Sequence, residues 1–172
     1  MHEKRIVHHD LKSLNILVKC VMRTELTGLE FEYVQAKVSD FGLSKTKETS
    51  TRYSNQTPNT GTTRWMAPEV MISNSKGKPS YPFKADVYSF AMVCYEVLTG
   101  LVPFHDIKVG AMKQRILAGE PLQEHLKLPS GCPQKLKSLI YKCWSLDAEE
   151  RPCFGEICEV LREVQREIMG VG

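Results

Sequence analysis

The sequence lacks the features that mark nucleic-acid-binding, membrane-spanning or secreted proteins. Its 23 basic and 20 acidic residues leave a formal net charge of only +3, and nucleic-acid-binding domains usually show a much stronger positive imbalance. The longest apolar helical segment, residues 87–98, is too short to cross a bilayer. The first five residues (Met-His-Glu-Lys-Arg) do not form the apolar core of a signal peptide. These absences predict no nucleic-acid partner and no membrane segment.

Cysteine is present, but not in a pattern typical of a metal site or a disulfide framework. None of the six cysteines forms a Cys-x-x-Cys pair, and several lie in periodic apolar segments, where a free thiol behaves as a small hydrophobic group. Reduced thiols are the rule in reducing compartments. We therefore expect a cytoplasmic protein.

The length and the apolar pattern predict one domain in which a small β region precedes a helical region. The chain has 172 residues, of which 42% are apolar, enough to bury a core. Residues 16–18 and the alternating residues 34–38 predict two strands of a hairpin, with an enlarged, irregular polar connection over residues 19–33. Residues 44–63 show no apolar periodicity and predict a long loop.

The second half of the sequence has the pattern of a helical bundle. Residues 86–98 are apolar nearly all round, which predicts a buried helix that ends at Gly100. Apolar residues with helical spacing predict three further helices, over residues 109–117, 136–144 and 154–168. Pro133 and Pro152 lie at or before the starts of the last two, where proline is well tolerated.

Two polar motifs in the first quarter of the chain carry the candidate chemistry. Residues 8–15 read His-His-Asp-Leu-Lys-Ser-Leu-Asn, and residues 40–42, after the second predicted strand, read Asp-Phe-Gly. Phosphoryl transfer needs a carboxylate at the attacking hydroxyl, a cation, and oxygen ligands for Mg²⁺. Asp10, Lys12 and Asn15 supply these groups, although each alone is equally typical of an ordinary loop.

The order of these motifs resembles that of the protein kinases. A third motif, Ala67-Pro68-Glu69, follows the segment Gly-Thr-Thr-Arg-Trp-Met of residues 61–66, as in the kinase signature set. The resemblance covers residues 1–172. It implies a partial protein kinase domain with a mainly α fold: the C-terminal lobe, a helical bundle with a small β-hairpin region, without the N-terminal lobe.

The resemblance also implies roles for individual residues. Asp10 is then the catalytic base, Lys12 contacts the γ-phosphate of ATP, and Asn15 and Asp40 bind Mg²⁺. Thr62 is expected to approach Asp10 and Lys12. Structural roles are implied for five further residues, namely the internal spine of His8 and Phe41, Asp86 as the anchor of the catalytic-loop backbone, and an ion pair between Glu69 and Arg151.

The motifs further resemble those of the tyrosine-kinase-like group, whose members mostly phosphorylate serine and threonine. Ser13 and Leu14 between Lys12 and Asn15, and Trp65-Met66 after Gly61-Thr62, carry this resemblance. It implies a protein substrate with a serine or threonine acceptor.

Two departures from the kinase pattern affect regulation and shape. His9 replaces the arginine that in the family binds a phosphate on the activation loop, and a neutral imidazole is a weaker phosphate partner than a guanidinium. Activation by phosphorylation of the hydroxyl-rich residues 44–60 is therefore in question. The span from Asn15 to Asp40 also exceeds the family pattern, which we interpret as a surface insertion.

The sequence before Asp10 contains no Gly-x-Gly-x-x-Gly motif, which kinases use to cover the phosphates of ATP. We therefore expect weak or no activity from these residues alone, and a missing N-lobe or regulatory domains as partners. A non-catalytic kinase-like interaction module is the alternative. A metal-dependent hydrolase built on His8 and His9 is a third, weaker interpretation, because no further His or Cys has ligand spacing.

Overall fold

The computed structural model describes residues 6–24, 30–41, 45–46, 62–76 and 82–170. Within these ranges the chain forms four strands, β1 (Ile6–Val7), β2 (Ile16–Thr24), β3 (Glu30–Val38) and β4 (Lys45–Thr46). It also forms five α-helices, α1 (Pro68–Lys76), α2 (Pro82–Thr99), α3 (Val109–Leu117), α4 (Gln134–Cys143) and α5 (Phe154–Met169). The mainly helical fold with a small β region agrees with the prediction.

Helix α2 forms the centre of the helical region. Tyr88, Ala91 and Met92 on this helix are completely buried, as expected for a helix that is apolar nearly all round. Helix α4 packs against α2, and α5 packs against α4. Residues 8–15 therefore lie next to the buried central helix, because the short strand β1 that leads into them also contacts α2.

The helix boundaries follow the glycine and proline signals in the sequence. Gly100 and Gly119 have φ angles of +71° and +81°, the left-handed region in which glycine meets no Cβ penalty. Helix α2 begins at Pro82, four residues before the predicted start, since proline is well tolerated in the first turn. Helix α1 was not predicted, because its nine residues include only the short apolar run of residues 70–72 followed by four polar residues, which gives no apolar periodicity over several turns.

The predicted irregular connection over residues 19–33 is wrong for most of its length. Strands β2 and β3 pair antiparallel from Ile16↔Val38 to Thr24↔Glu30, and the nine pairs form a continuous ribbon. Main-chain hydrogen bonds hold such a ribbon together even where its side chains stay exposed. The polar side chains therefore hid the strands, and the unusually long span from Asn15 to Asp40 is this extended hairpin.

Only part of the predicted loop over residues 44–63 falls within the described residues. Lys45 and Thr46 form β4, which pairs with β1, and a 3₁₀ turn begins at Thr62. Gly42, Gly61 and the hydroxyl-bearing residues 47–60 lie outside the described ranges. In the part of the chain that is described, no helix is both long and apolar enough to span a bilayer.

Candidate phosphoryl-transfer site

The site is built on the segment between β1 and β2, whose backbone is fixed by a buried aspartate on α2. The main-chain N–H groups of His8 and His9 donate to Asp86 Oδ2 and Oδ1 at 2.8 and 3.0 Å. His9 adopts a φ of 67°, a left-handed conformation that non-glycine residues rarely take. Both oxygens of one carboxylate thus hold the backbone at the point of an unfavourable turn.

Two polar side chains of this segment, Lys12 and Asn15, converge on Asp10. Lys12 Nζ lies 2.7 Å from Asp10 Oδ2. The Asn15 amide donates to the Asp10 main-chain oxygen at 2.7 Å and to Oδ2 at 3.2 Å. Asn15 is buried within the 3₁₀ turn Ser13–Asn15, which leads directly into β2. The turn therefore sets the side chains of the loop around a single carboxylate.

Asp40 reaches the same edge of the site because the end of β3 is bonded to the end of the loop. The main-chain N–H and the hydroxyl of Ser39 both donate to the Asn15 main-chain oxygen, at 2.8 and 3.1 Å. Asp40 follows immediately, is exposed, and has a φ of 59°. The residue is thus presented at the surface from a second left-handed turn.

His8 connects the two segments from beneath. Its Nε2 lies 2.9 Å from the Ser39 main-chain oxygen, which can only accept, so Nε2 carries the proton. Its Nδ1 then accepts the N–H of Asp10 at 3.3 Å. The Phe41 ring contacts the imidazole edge to face, with 5.1 Å between ring centroids. A neutral, fully bonded histidine therefore joins the loop to the Asp-Phe-Gly segment.

A fourth segment enters the site through Thr62. Lys12 Nζ donates to Thr62 Oγ1 at 3.0 Å while it remains bonded to Asp10. Thr62 begins the 3₁₀ turn Thr62–Trp65, and Ser89 of α2 donates to the Trp65 main-chain oxygen at 2.8 Å. The structure thereby brings together Asp10, Lys12, Asn15 and Thr62.

Glu69 and Arg151 lie away from this cluster and stabilise the segment that follows Thr62. Arg151 Nη1 and Nη2 donate to Glu69 Oε1 and Oε2 at 2.8 and 2.9 Å. The Arg151 side chain is fully buried, and its guanidinium lies 5.1 Å from the centre of the Tyr88 ring. Burial raises the pKa of the Tyr88 phenol, so this ring stays neutral. The bidentate pair holds α1 on the helical core.

The donor chemistry of the loop fits Mg²⁺ bound together with a nucleotide. Because the Asn15 amide nitrogen is directed at Asp10, its Oδ1 is available as a hard oxygen ligand, and Asp40 offers an exposed carboxylate. Within the described residues, no group of three or more His, Cys, Asp or Glu side chains is arranged to hold a metal ion. Mg²⁺ typically needs only one or two protein carboxylates when phosphates complete its shell.

Sequence reasoning missed the contacts that position this cluster. Ser13 Oγ donates to Glu96 Oε1 on α2 at 2.9 Å. Arg64 donates to three main-chain oxygens between α2 and α3. Ser39 had no assigned role. Each contact joins residues that are far apart in sequence, so no local pattern identified them, although Arg64 lies within a recognised motif.

Comparison with known proteins decides the family. The sequence profile described as protein tyrosine and serine/threonine kinase matches residues 1–161. The chain belongs to the protein kinase family. Its predicted resemblance to kinases of the tyrosine-kinase-like group is confirmed.

Three relatives illustrate the match. A light-sensor protein kinase of Ceratodon purpureus is 51% identical over 98% of this chain and 13% of its own length. Serine/threonine-protein kinase STY17 of Arabidopsis thaliana is 35% identical over 98% of this chain and 25% of its own. Serine/threonine/tyrosine-protein kinase HT1 of the same plant is 38% identical over 95% and 36%. This kinase chain therefore spans a minor part of each relative.

Proposed function

We propose that this kinase chain carries the phosphoryl-transfer site of an ATP- and Mg²⁺-dependent protein serine/threonine kinase. The observation that carries the proposal is the shared contact of Lys12 Nζ with Asp10 Oδ2 and Thr62 Oγ1, at 2.7 and 3.0 Å. It joins a carboxylate, a cation and a hydroxyl from two segments 50 residues apart. Phosphoryl transfer requires such positioning more than covalent chemistry.

Asp10 acts on the acceptor hydroxyl. Its Oδ2 is occupied by Lys12 and Asn15, whereas Oδ1 accepts no hydrogen bond from the described residues. Oδ1 is therefore the oxygen that orients the substrate hydroxyl and receives its proton. The Lys12 ammonium offsets the negative charge that develops on the transferred group. Its bond to Asp10 holds the two side chains next to each other.

Asn15 and Asp40 are the residues that hold the metal. Mg²⁺ with ATP supplies the phosphoryl group and neutralises the phosphate charge when bound. Asn15 is preset for this by its own hydrogen bonds to Asp10, and Asp40 by the bonds of Ser39 to Asn15. His8, Phe41 and Asp86 support these positions without contact to substrate.

Serine and threonine are the proposed acceptors. The motif around Lys12 and the segment 61–66 support this, together with the printed names of relatives such as STY17. HT1 is named for tyrosine as well. Phosphoamino-acid analysis of a labelled general substrate tests the assignment: phosphoserine and phosphothreonine are expected, and phosphotyrosine as the main product contradicts it.

The test of the site is the variant Asp10→Asn in a longer form of the protein that includes an N-terminal lobe. The substitution keeps the size of the side chain but removes the base. Loss of general-base catalysis costs about 10²- to 10⁴-fold in kcat. The matched control is Asp147→Asn in the exposed turn after α4, where Asp147 Oδ1 accepts only the Glu149 N–H among the described residues. Equal turnover of the two variants would remove Asp10 from its proposed role.

We also propose that residues 1–172 form a partial kinase domain, located in the cytoplasm, that turns over ATP slowly or not at all without further protein. The six free thiols, all within the described residues, support a reducing location. Calorimetry with ATP and Mg²⁺, followed by a phosphotransfer assay, tests the expected slow or absent turnover of residues 1–172. Micromolar affinity with rapid turnover contradicts it, whereas no binding by any longer form favours a non-catalytic interaction module.

A further inference from the structure

Arg64 makes an unusual set of contacts for a residue so close to the site. Its Nη1 donates to the main-chain oxygens of Pro103, at 3.0 Å, and of Phe104, and its Nη2 donates to that of Ile107 at 2.9 Å. The three acceptors belong to one segment between α2 and α3. A guanidinium presents several donors in a fixed planar geometry, so it can bind all three of these carbonyl oxygens at once, which the single ammonium group of a lysine would do less well.

The segment that Arg64 binds is itself held by the core. Phe104 is only 2% exposed and packs in the main hydrophobic cluster, although its φ of 54° is left-handed. The N–H groups of His105 and Ile107 close turns onto Val102 and Phe104 at 3.1 and 3.0 Å. A non-glycine residue stays in this conformation only where its surroundings determine it. Arg64 is therefore fastened to a rigid element.

The other end of the same turn reaches the site. Thr62 lies two residues before Arg64 in the 3₁₀ turn Thr62–Trp65, and its hydroxyl accepts from Lys12. Trp65 is attached to α2 through Ser89. The turn thus has two fixed points beyond Thr62, one on α2 and one, through Arg64, on the segment before α3.

We propose that Arg64 is a positioning residue that holds Thr62 against Lys12 and so sets the binding of the protein substrate. This inference deepens the proposed kinase function and rests on it. Arg64 has no contact to Asn15 or Asp40 in the structure, so its effect falls on the acceptor side of the site and not on the nucleotide. A displacement of about 1 Å at such a point is enough to lower the rate substantially.

The first experiment needs no catalytic activity. Lys12 is 15% exposed, and its acylation by an amine-reactive ester, followed by mass spectrometry, reports whether Thr62 still covers it. Thr62→Ala and Arg64→Ala are each expected to raise Lys12 labelling several-fold, and the double variant is expected to match the single ones. Lys135, which is half exposed, serves as the internal reference in every sample.

Three outcomes of this experiment overturn the proposal: unchanged Lys12 labelling in Arg64→Ala, additive effects in the double variant, or a parallel rise at every lysine. Arg64→Gln, which keeps a donor for one of the three carbonyls, replaces Arg64→Ala should the latter unfold. It is expected to give an intermediate rise.

The second experiment separates substrate positioning from general damage. In a phosphotransfer assay of a longer form that includes an N-terminal lobe, Arg64→Ala is expected to raise KM for a peptide substrate about tenfold or more while KM for ATP stays within about twofold. Arg162→Ala, at an exposed position on α5, is the matched control and is expected to leave both unchanged. Equal losses for peptide and ATP contradict the proposal. Absence of all phosphotransfer in a longer, otherwise unaltered form that includes an N-terminal lobe refutes the kinase proposal instead, and the Lys12 labelling result still tests the role of Arg64.

Discussion

At the scale of single residues, Asp86 does the most to define the site without being part of its chemistry. It is 1% exposed, and both of its oxygens accept main-chain N–H groups from the loop. The left-handed turn at His9 depends on these two bonds. Asp86 therefore fixes the position of Asp10 relative to α2, because it holds the two residues that precede Asp10.

Asp86→Asn tests this dependence. The amide replaces one acceptor oxygen by a donor that faces an N–H group, so we expect a loss of about 2–3 kcal/mol, the usual worth of a hydrogen bond to a charged group plus the cost of an unpaired one. Urea denaturation followed by circular dichroism measures it. Asp147→Asn is again the control, and a change no larger than that of the control contradicts the role.

The buried thiols give a prediction about pH. Burial raises the pKa of Cys94 and that of Cys143 to about 12, from an ordinary value near 9. Because the folded state favours the neutral thiols, their contribution is complete below pH 9, and the stability of the fold is expected to fall as the pH rises from about 9 to 12.

Alkylation checks the same thiols. With iodoacetamide at pH 8, the exposed Cys20 and Cys158 are expected to react quickly, and Cys94 and Cys143 only after unfolding. Peptide mapping measures each site. Rapid modification of Cys143 in the folded chain contradicts the burial.

The residues that the sequence made recognisable are those whose spacing is local. Asp10, Lys12 and Asn15 lie within six positions, and one turn determines their arrangement. Partners such as Glu96 for Ser13 are more than 80 positions away. Such contacts depend on how helices pack, which no short pattern encodes.

At the scale of elements, α1 is joined to the segment before α5 by the ion pair of Glu69 with the buried Arg151. Glu69→Ala leaves the fully buried Arg151 guanidinium without its carboxylate, a change that typically costs about 3–5 kcal/mol. The urea midpoint is expected to fall accordingly, while Lys135→Ala, which breaks only exposed pairs with Glu163 and Glu167, changes it little. Equal effects of the two substitutions contradict the assignment.

The elements differ in how well the sequence foretold them. The buried helix α2 and the amphipathic α4 and α5 follow directly from apolar periodicity. The outer halves of β2 and β3 do not, because charged residues such as Lys19 and Glu32 interrupt the apolar pattern, while main-chain bonds hold the ribbon together where its side chains stay exposed. Helix α1 is short, and it is held by Met71 in the core together with the Glu69–Arg151 pair, contacts that no periodic pattern encodes.

At the scale of the whole molecule, α2 organises the site as one scaffold. Asp86, Ser89 and Glu96 on this helix bind the loop backbone, the turn after Thr62, and Ser13, respectively. Three segments that are distant in sequence are thus all hydrogen-bonded to the same buried helix. This explains how Asp10, Lys12 and Thr62 come together although they lie on separate segments of the chain.

That ribbon has an apolar face, because alternate residues of each strand point to the same side. Val18, Met22 and Val34 share this side according to the pairing of β2 with β3, and each is more than 60% exposed. An exposed apolar patch on a sheet is a typical site of association.

We therefore expect the purified chain to self-associate with rising concentration, so that sedimentation velocity gives an average mass above the 19.5 kDa of one chain. The double variant Val18→Thr/Val34→Thr keeps β-branched side chains, so the ribbon persists while the apolar face loses two of its three large exposed side chains, and it is expected to sediment closer to a monomer. Ile168→Thr, at an equally exposed apolar position on α5, is the matched control and should associate as the unaltered chain does. If the unaltered chain is a monomer at all concentrations, or if both variants reduce its association equally, the ribbon face is not the associating surface.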